Sequence, residues 1–145
     1  MDDPYGLERF VQAQARGVYE RALSELQAGR KRTHWMWFIY PQIVGLGSSA
    51  MAERYAIASL EEARAYLAHP VLGPRLLACV KAMIELKGAT ARQVLGQPDD
   101  LKFHSSLTLF HGAAPGEPLF RAALDRYFEG APDPATQAQL AGQRL

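Results

Sequence analysis

Apolar residues recur at helical spacing along most of the chain, and glycine or proline interrupts them at short intervals. The first such segment, at about 7–28, ends before Gly29 and carries one apolar stripe: Leu7, Phe10, Val11, Val18, Ala22 and Leu26. Spacings of three and four place these side chains on one helix face, and a glycine is the usual residue just past a helix end. The segment therefore predicts a first helix of about six turns.

The same pattern predicts further helices along the rest of the chain, at about 59–69, 72–87, 90–96, 101–111 and 118–128, with a helical turn at 50–55 and a last helix from 134. In the run 34–40 the apolar residues are continuous, so periodicity does not separate a short buried helix from a strand there. No pair of segments has the pattern of a β-hairpin. We therefore expect an all-α fold, a compact single-domain bundle of about seven or eight short and medium helices spanning residues 1–145.

Four residue pairs are typical of helix starts. Two have capping-box spacing, one is an N-cap before a proline and one offers alternative caps for the 101–111 helix: Ser59 with Glu62, Thr90 with Gln93, Asp133-Pro134, and Asp99-Asp100. Within the 101–111 helix the buried positions are expected to be Leu101, Phe103, Leu107 and Phe110.

Charge and cysteine content exclude several classes of function. The net charge is +1, which gives no global field to attract nucleic acid or an anionic membrane. Cys79 is the only cysteine, so the chain has no internal disulfide and no cysteine-based zinc site, and its histidines lack metal-ligand spacing. The longest apolar run is far short of the ~20 residues of a membrane span, and Asp2 and Asp3 are unlike a signal peptide. We expect a cytoplasmic protein without metal or cofactor.

The segment 30–42 combines cations with aromatic rings. Lys31, Arg32 and His34 supply donors, and Trp35 and Trp37, the only two tryptophans, supply flat faces. Such residues suit a nucleotide, because the phosphate pairs with the cations while the base stacks on a ring. The alternative is that the rings belong to the core and the basic residues form the solvated end of the first helix.

Two more groups are candidates for the same site. The loop 45–49 contains Gly45, Gly47 and Ser48, which together with a following helical turn can cradle an anion with backbone N–H groups. A tight turn with an N-cap serine is the alternative for this loop. Further on, Lys102 and Ser105 are neighbours on one helix face, where they either border a pocket or are simply exposed.

Several stretches together carry a family resemblance: Gly29-x-Lys31-x-Thr33-His34-Trp35-Met36-Trp37-Phe38-Ile39-x-Pro41-Gln42, Gly45-Leu46-Gly47-Ser48, His69-Pro70-x-Leu72-Gly73, and Asp100-x-Lys102-x-x-Ser105-Ser106-x-Thr108-Leu109-Phe110. The chain resembles a bacterial family of unknown function whose members are often labelled calpastatin-like, most closely its mycobacterial conserved-hypothetical branch. The resemblance covers nearly the whole chain. It implies a small, single-domain, largely helical protein without an established activity, so no catalytic residue is carried over.

These observations support one hypothesis and two alternatives. The first is a protein that binds a nucleotide-like anionic small molecule in a Trp/Lys/Ser-lined pocket. The second is an N-glycosidase-type hydrolase acting on an ADP-ribose-related nucleotide, by fold-level analogy with helical N-glycosidases, with Glu25, Glu53 and Asp100 as the candidate carboxylates. The third is a protein–protein interaction adaptor, which predicts an exposed apolar patch and no enclosed pocket.

Overall fold

A computed structural model describes residues 3–143, which contain ten helices and no strand. In chain order they are α1 (Glu8–Ala13), α2 (Val18–Gln27), α3 (Met36–Ile39), α4 (Ala50–Arg54), α5 (Leu60–Ala68), α6 (Leu72–Glu85), α7 (Ala91–Leu95), α8 (Asp99–Ala113), α9 (Pro118–Phe128) and α10 (Pro134–Gly142). The all-α prediction is confirmed, whereas the predicted number of seven or eight helices was too low.

Two local features account for the additional helices. The predicted helix at 7–28 is interrupted because Arg16 and Gly17 both have left-handed backbone angles, with φ of 58° and 82°. A residue in that conformation does not continue an α-helix, so α1 ends before these two residues and α2 begins after them. The run 34–40, where a strand was possible, forms the single turn α3 instead.

Helix α8 lies at the centre of the bundle and packs against α5, α7, α9 and α10. Its buried residues occur on all sides of the helix: Phe103, Ser105, Ser106, Leu107, Thr108, Leu109, Phe110 and Ala113. A helix that neighbours surround in this way has no polar face, which is why its sequence shows only a weak stripe. Leu101 was predicted to be buried, but it is 55% exposed because it lies in the first turns of α8, at the edge of the bundle.

The predicted caps are only partly confirmed. Thr90 and Gln93 form the reciprocal capping box at the start of α7, and Asp133 caps α10 through the backbone N–H of Thr136. Asp99, by contrast, does not cap α8; it lies inside the first turn and forms ion pairs described below. A carboxylate there still stabilises the helix through the macrodipole.

The predicted box at the start of α5 forms only in one direction. The Ser59 hydroxyl accepts from the N–H of Glu62 at 3.1 Å, but the Glu62 carboxylate accepts from the N–H of Ala58 at 3.0 Å and from Arg9 at 2.9 Å. The remaining Arg9 donors bond four backbone carbonyls, at residues 5, 6, 54 and 56. Arg9 thus joins α1 to the end of α4 and the start of α5.

Within residues 3–143, no single helix has the length and apolarity needed to cross a membrane. Helices α5 and α6 have that length and apolarity only when taken together, and the chain bends by 93° at the break between them. The same residues contain no cluster of three or more His, Cys, Asp or Glu side chains that could hold a metal ion.

Candidate functional site

A cleft with a volume of about 520 Å³ lies between the loop 42–49, α4, the first turns of α8 and the start of α10. We call it the α8 cleft. Its polar lining consists of Gln42, Ser48, Ser49, Lys102, Ser105 and Asp133, and its apolar lining of Leu46, Ala52, Pro98, Leu101 and Ala135, with Gly47 between. Small-molecule sites typically have volumes of about 300–1,000 Å³ and combine an apolar wall with a few polar groups.

The loop 42–49 is held in place from both sides. Ile57 donates its N–H to the Gln42 carbonyl and accepts from the N–H of Val44, both at 2.8 Å, in an isolated parallel bridge. On the other side the Gln139 amide donates to the Val44 carbonyl at 2.9 Å. Gly45 permits this turn, because its φ is +94° and a Cβ there would lie 1.9 Å from the Gln139 Nε2. Gly45 therefore shapes the loop but does not line the cleft.

The second half of the loop forms a wall of the cleft and also starts α4. Ser49 caps α4, because its hydroxyl accepts from the Ala52 N–H at 3.1 Å. A Cβ at Gly47 would lie 2.8 Å from the Ala52 Cβ, so this position requires glycine for close approach. Ser48 is exposed on the cleft side of the turn. Both interpretations of the loop 45–49 therefore apply to the same residues, because the turn with an N-cap serine also contributes to the wall of the cleft.

Lys102 is the cationic side chain among the described residues that line the α8 cleft. It pairs with Asp99, which also pairs with Lys31, and each of the two lysines lies near a tryptophan ring. The Lys102 ammonium lies 3.5 Å from one Asp99 oxygen and 5.5 Å from the centre of the Trp37 ring. Lys31 lies 3.1 Å from the other Asp99 oxygen and 5.1 Å from the Trp35 ring. The Lys31 side chain is 9% exposed and that of Lys102 is 27% exposed, so only Lys102 retains substantial access to solvent.

Ser105, one turn along α8 from Lys102, lines the cleft together with Asp133 from the start of α10. The Ser105 hydroxyl lies 3.1 Å from the Leu101 carbonyl and 3.2 Å from Asp133 Oδ2, and both are acceptors for its single proton. The same Oδ2 accepts from the N–H and the hydroxyl of Thr136, at 3.0 and 2.6 Å. Asp133 was identified in the sequence only as a helix cap. Its place in the cleft follows from the packing of α10 against α8, which no local pattern reports.

Glu25 organises the start of the basic-aromatic segment. Its carboxylate accepts the N–H groups of Arg32 and Thr33, the Thr33 hydroxyl and the Trp35 indole N–H, at 2.7, 3.0, 2.7 and 2.9 Å. Burial raises the pKa of this carboxyl, but the four hydrogen bonds together outweigh burial and lower its pKa to about 2. Glu25 is therefore a permanently ionised structural group at neutral pH, and Trp35 is a core residue with 1% exposure.

The structure brings only part of the predicted site together. Gly47, Ser48, Lys102 and Ser105 line the α8 cleft, whereas none of the five candidates from the segment 30–42 does: Lys31, Arg32, His34, Trp35 and Trp37. Arg32 and His34 are exposed elsewhere, and the half-buried Trp37 reaches the cleft only through Lys102.

The three candidate carboxylates of the glycosidase alternative also lie outside the cleft lining. Glu25 is held by its four donors, and Glu53 is exposed on α4. Asp100 lies in the first turn of α8, and its buried Oδ1 has no hydrogen-bond partner among the described residues. The carboxylate that does line the cleft is Asp133.

Comparison with known proteins gives two matches. The model of a family described as "Protein of unknown function (DUF1810)" matches residues 4–140. The crystal structure of the conserved hypothetical protein Rv1873 from Mycobacterium tuberculosis matches with a TM-score of 0.93 and 52% sequence identity, over 96% of this chain and 99% of that one. Neither description carries the calpastatin-like label. No curated protein matches the sequence.

Proposed function

This chain belongs to the DUF1810 family of proteins of unknown function, and we propose that it binds a small anionic, nucleotide-like molecule in the α8 cleft. One observation carries the proposal. The glycine–serine loop and the Lys102–Ser105 face of α8 are distant in sequence, and both line this one cleft. Their residue types are those that hold an anion: an ammonium, hydroxyls, and a glycine that exposes backbone.

Lys102 is the principal contact to the anion in this proposal. An ammonium has three N–H donors, and the Asp99 carboxylate at 3.5 Å occupies at most one of them. The centre of the Trp37 ring lies 5.5 Å from the ammonium, and the face of the ring attracts a cation. Lys31 and Trp35 act behind this contact, because Lys31 shares the charge of Asp99 and so leaves Lys102 more available to a ligand.

The proposal is tested with a panel of anions and a matched pair of variants. Thermal unfolding and calorimetric titration are measured with nucleoside mono-, di- and triphosphates, ADP-ribose, ribose 5-phosphate and pyrophosphate. A ligand present at 100 times its Kd stabilises the folded protein by about 2.7 kcal/mol, which is several degrees in Tm for a domain of this size.

Lys102→Met is expected to weaken binding of the active compounds at least about tenfold, since it removes a charge-assisted contact. Lys87→Met is the control, because it removes the same charge from an exposed position two residues after the end of α6. The proposal is wrong if no compound on the panel raises the Tm, or if Lys102→Met binds as tightly as the Lys87→Met control.

A further inference from the structure

The α8 cleft is electrically polarised. Among the described residues that line it, Lys102 is the cationic side chain and Asp133 the anionic one. Lys102 and Ser105 are one helical turn apart on α8, a rise of about 4.5 Å, and Ser105 is 3.2 Å from the Asp133 carboxylate. A ligand lying along α8 therefore meets a cation first and a carboxylate about one turn further on.

Asp133 has an oxygen available for a ligand. Its Oδ2 is occupied by Ser105 and by the two donors of Thr136, whereas Oδ1 receives no hydrogen bond from the residues of the described chain. An ionised carboxylate only accepts hydrogen bonds, so it attracts hydroxyl groups and repels phosphate. Asp133 thus selects against a ligand that is anionic along its whole length.

We infer that the ligand of the α8 cleft is a ribosyl monophosphate, a class that includes the nucleoside monophosphates, with its phosphate at Lys102 and its sugar hydroxyls at Asp133. The inference rests on the proposed function and narrows it. A ribosyl monophosphate carries its phosphate and its ring hydroxyls on opposite sides of one sugar, in the order that the cleft presents. The apolar residues Leu46, Leu101 and Ala135 leave a surface for a base.

The charge count in the cleft argues against the other anions of this chemistry. Lys102 is a single cation, and Asp99 already neutralises part of its charge. A phosphate monoester carries a charge of about −1.5 to −2 at neutral pH, which Lys102 balances in part. Pyrophosphate or a nucleoside triphosphate adds further negative charge next to the Asp133 carboxylate. Neither pyrophosphate nor inorganic phosphate has a hydroxyl group of a sugar to pair with Asp133. We therefore expect the monophosphate to bind more tightly than the triphosphate of the same nucleoside.

The test compares compounds that differ in one group. Calorimetric titrations of the native protein use ribose 5-phosphate, the four common nucleoside monophosphates, their 2′,3′-dideoxy analogues and the unphosphorylated nucleosides. Removing both hydroxyls should weaken binding at least about tenfold, because it deletes hydrogen bonds to a charged acceptor. Removing the phosphate should weaken binding by a similar factor in the native protein and by much less in Lys102→Met.

Asp133→Asn tests the role assigned to the carboxylate. Asparagine is as good an N-cap as aspartate, so α10 should remain folded while the negative charge is lost. The variant should lose the preference for hydroxylated over dideoxy compounds. The control Asp125→Asn, at an exposed position, should keep that preference. Should Asp133→Asn fail to fold, the dideoxy comparison on the native protein still decides the inference.

Two negative results have different meanings. If dideoxy and hydroxylated monophosphates bind equally, with affinity that depends on Lys102, the ribosyl assignment is wrong and the proposed anion site stands. If none of these compounds binds in a manner that depends on Lys102, the inference is overturned. The proposed function is overturned with it only if the di- and triphosphates, ADP-ribose and pyrophosphate also fail to bind.

Discussion

Replacing Glu25 by glutamine removes the charge from the buried carboxylate beneath the segment 30–42 while preserving its shape. In the native protein three N–H groups point at Oε1, and the Thr33 hydroxyl points at Oε2. A glutamine oxygen at the first position accepts the same three bonds, and its amide nitrogen donates to the Thr33 hydroxyl, which rotates to accept. The substitution therefore changes the strength of four hydrogen bonds without deleting their geometry.

The magnitude follows from the pKa of the carboxyl group. In the folded protein that pKa is lowered to about 2, against an ordinary value of 4.5. A change of one in pKa corresponds to about 1.4 kcal/mol, so ionisation of Glu25 stabilises the folded protein by at most about 3 kcal/mol at pH 7. Glu25 has 9% exposure to solvent, which screens part of this, and we expect a loss of about 2 kcal/mol in Glu25→Gln.

The dependence on pH has a definite sign. Because the folded-state pKa is below the unfolded-state value, the stabilisation is complete above pH 4.5 and disappears as the pH falls through about 2. Urea unfolding of native protein and Glu25→Gln, followed by tryptophan fluorescence at pH 7, 4 and 2.5, should show a difference in unfolding free energy that shrinks at the lowest pH.

Glu20→Gln is the control, because Glu20 is an exposed residue on the same helix. This substitution should lower the unfolding free energy by less than about 0.5 kcal/mol. The account of Glu25 is refuted if the two variants are equally stable at pH 7, or if the Glu25→Gln deficit is unchanged at pH 2.5.

Three further substitutions test contacts elsewhere in the fold and the ion pair beside the cleft. Arg9→Met should lower the unfolding free energy by about 3 kcal/mol, because it leaves the buried Glu62 carboxylate and several carbonyls without their donor. Arg9→Lys should restore little of this stability, because lysine lacks the guanidinium fork. Recovery of stability by lysine in urea unfolding would contradict this. Gly73→Ala should lower the Tm by several degrees in calorimetry, because the alanine Cβ would clash with the Leu67 carbonyl oxygen. An unchanged Tm would mean that α5 and α6 separate easily. Asp99→Asn should lower the unfolding free energy in chemical denaturation by about 1–2 kcal/mol, because Lys31 is left nearly buried without a carboxylate. The double variant that also carries Lys31→Met should regain part of that stability. If it regains none, Lys31 and Asp99 are not coupled.

Local sequence patterns were sufficient for most of the helices. The segments that became α5, α6, α7 and α9 each combine an apolar stripe with a cap, glycine or proline at an end, and both signals act within a few residues. The predicted bounds of α9 agree with the structure at both ends. The helix at 7–28 was predicted as continuous because its stripe continues across Gly17, and a stripe does not report the left-handed backbone that separates α1 from α2.

The candidate site was predictable by residue type but not by position. Lys102, Ser105 and the loop 45–49 were identified from chemistry alone, and the structure brings all of them except Gly45 to the lining of one cleft. The segment 30–42 was the strongest signal in the sequence, yet its aromatic rings face the core and its exposed cations lie elsewhere. Composition is the same for a ring in a core and a ring in a binding site, so the sequence left these alternatives open.

The sequence by itself determined the helical fold class and the residue types available for binding, since helical periodicity and caps depend on neighbours within about one turn. Only the tertiary structure decided which of those residues meet. Asp133 is a helix cap by sequence and becomes a wall of the cleft because α10 packs on α8. Glu25 is by sequence a candidate carboxylate of the N-glycosidase alternative, and in the structure it becomes the acceptor for the turn that follows α2. Such contacts join residues that lie on different elements, seven or more positions apart, and their energies are set by burial that no local pattern contains.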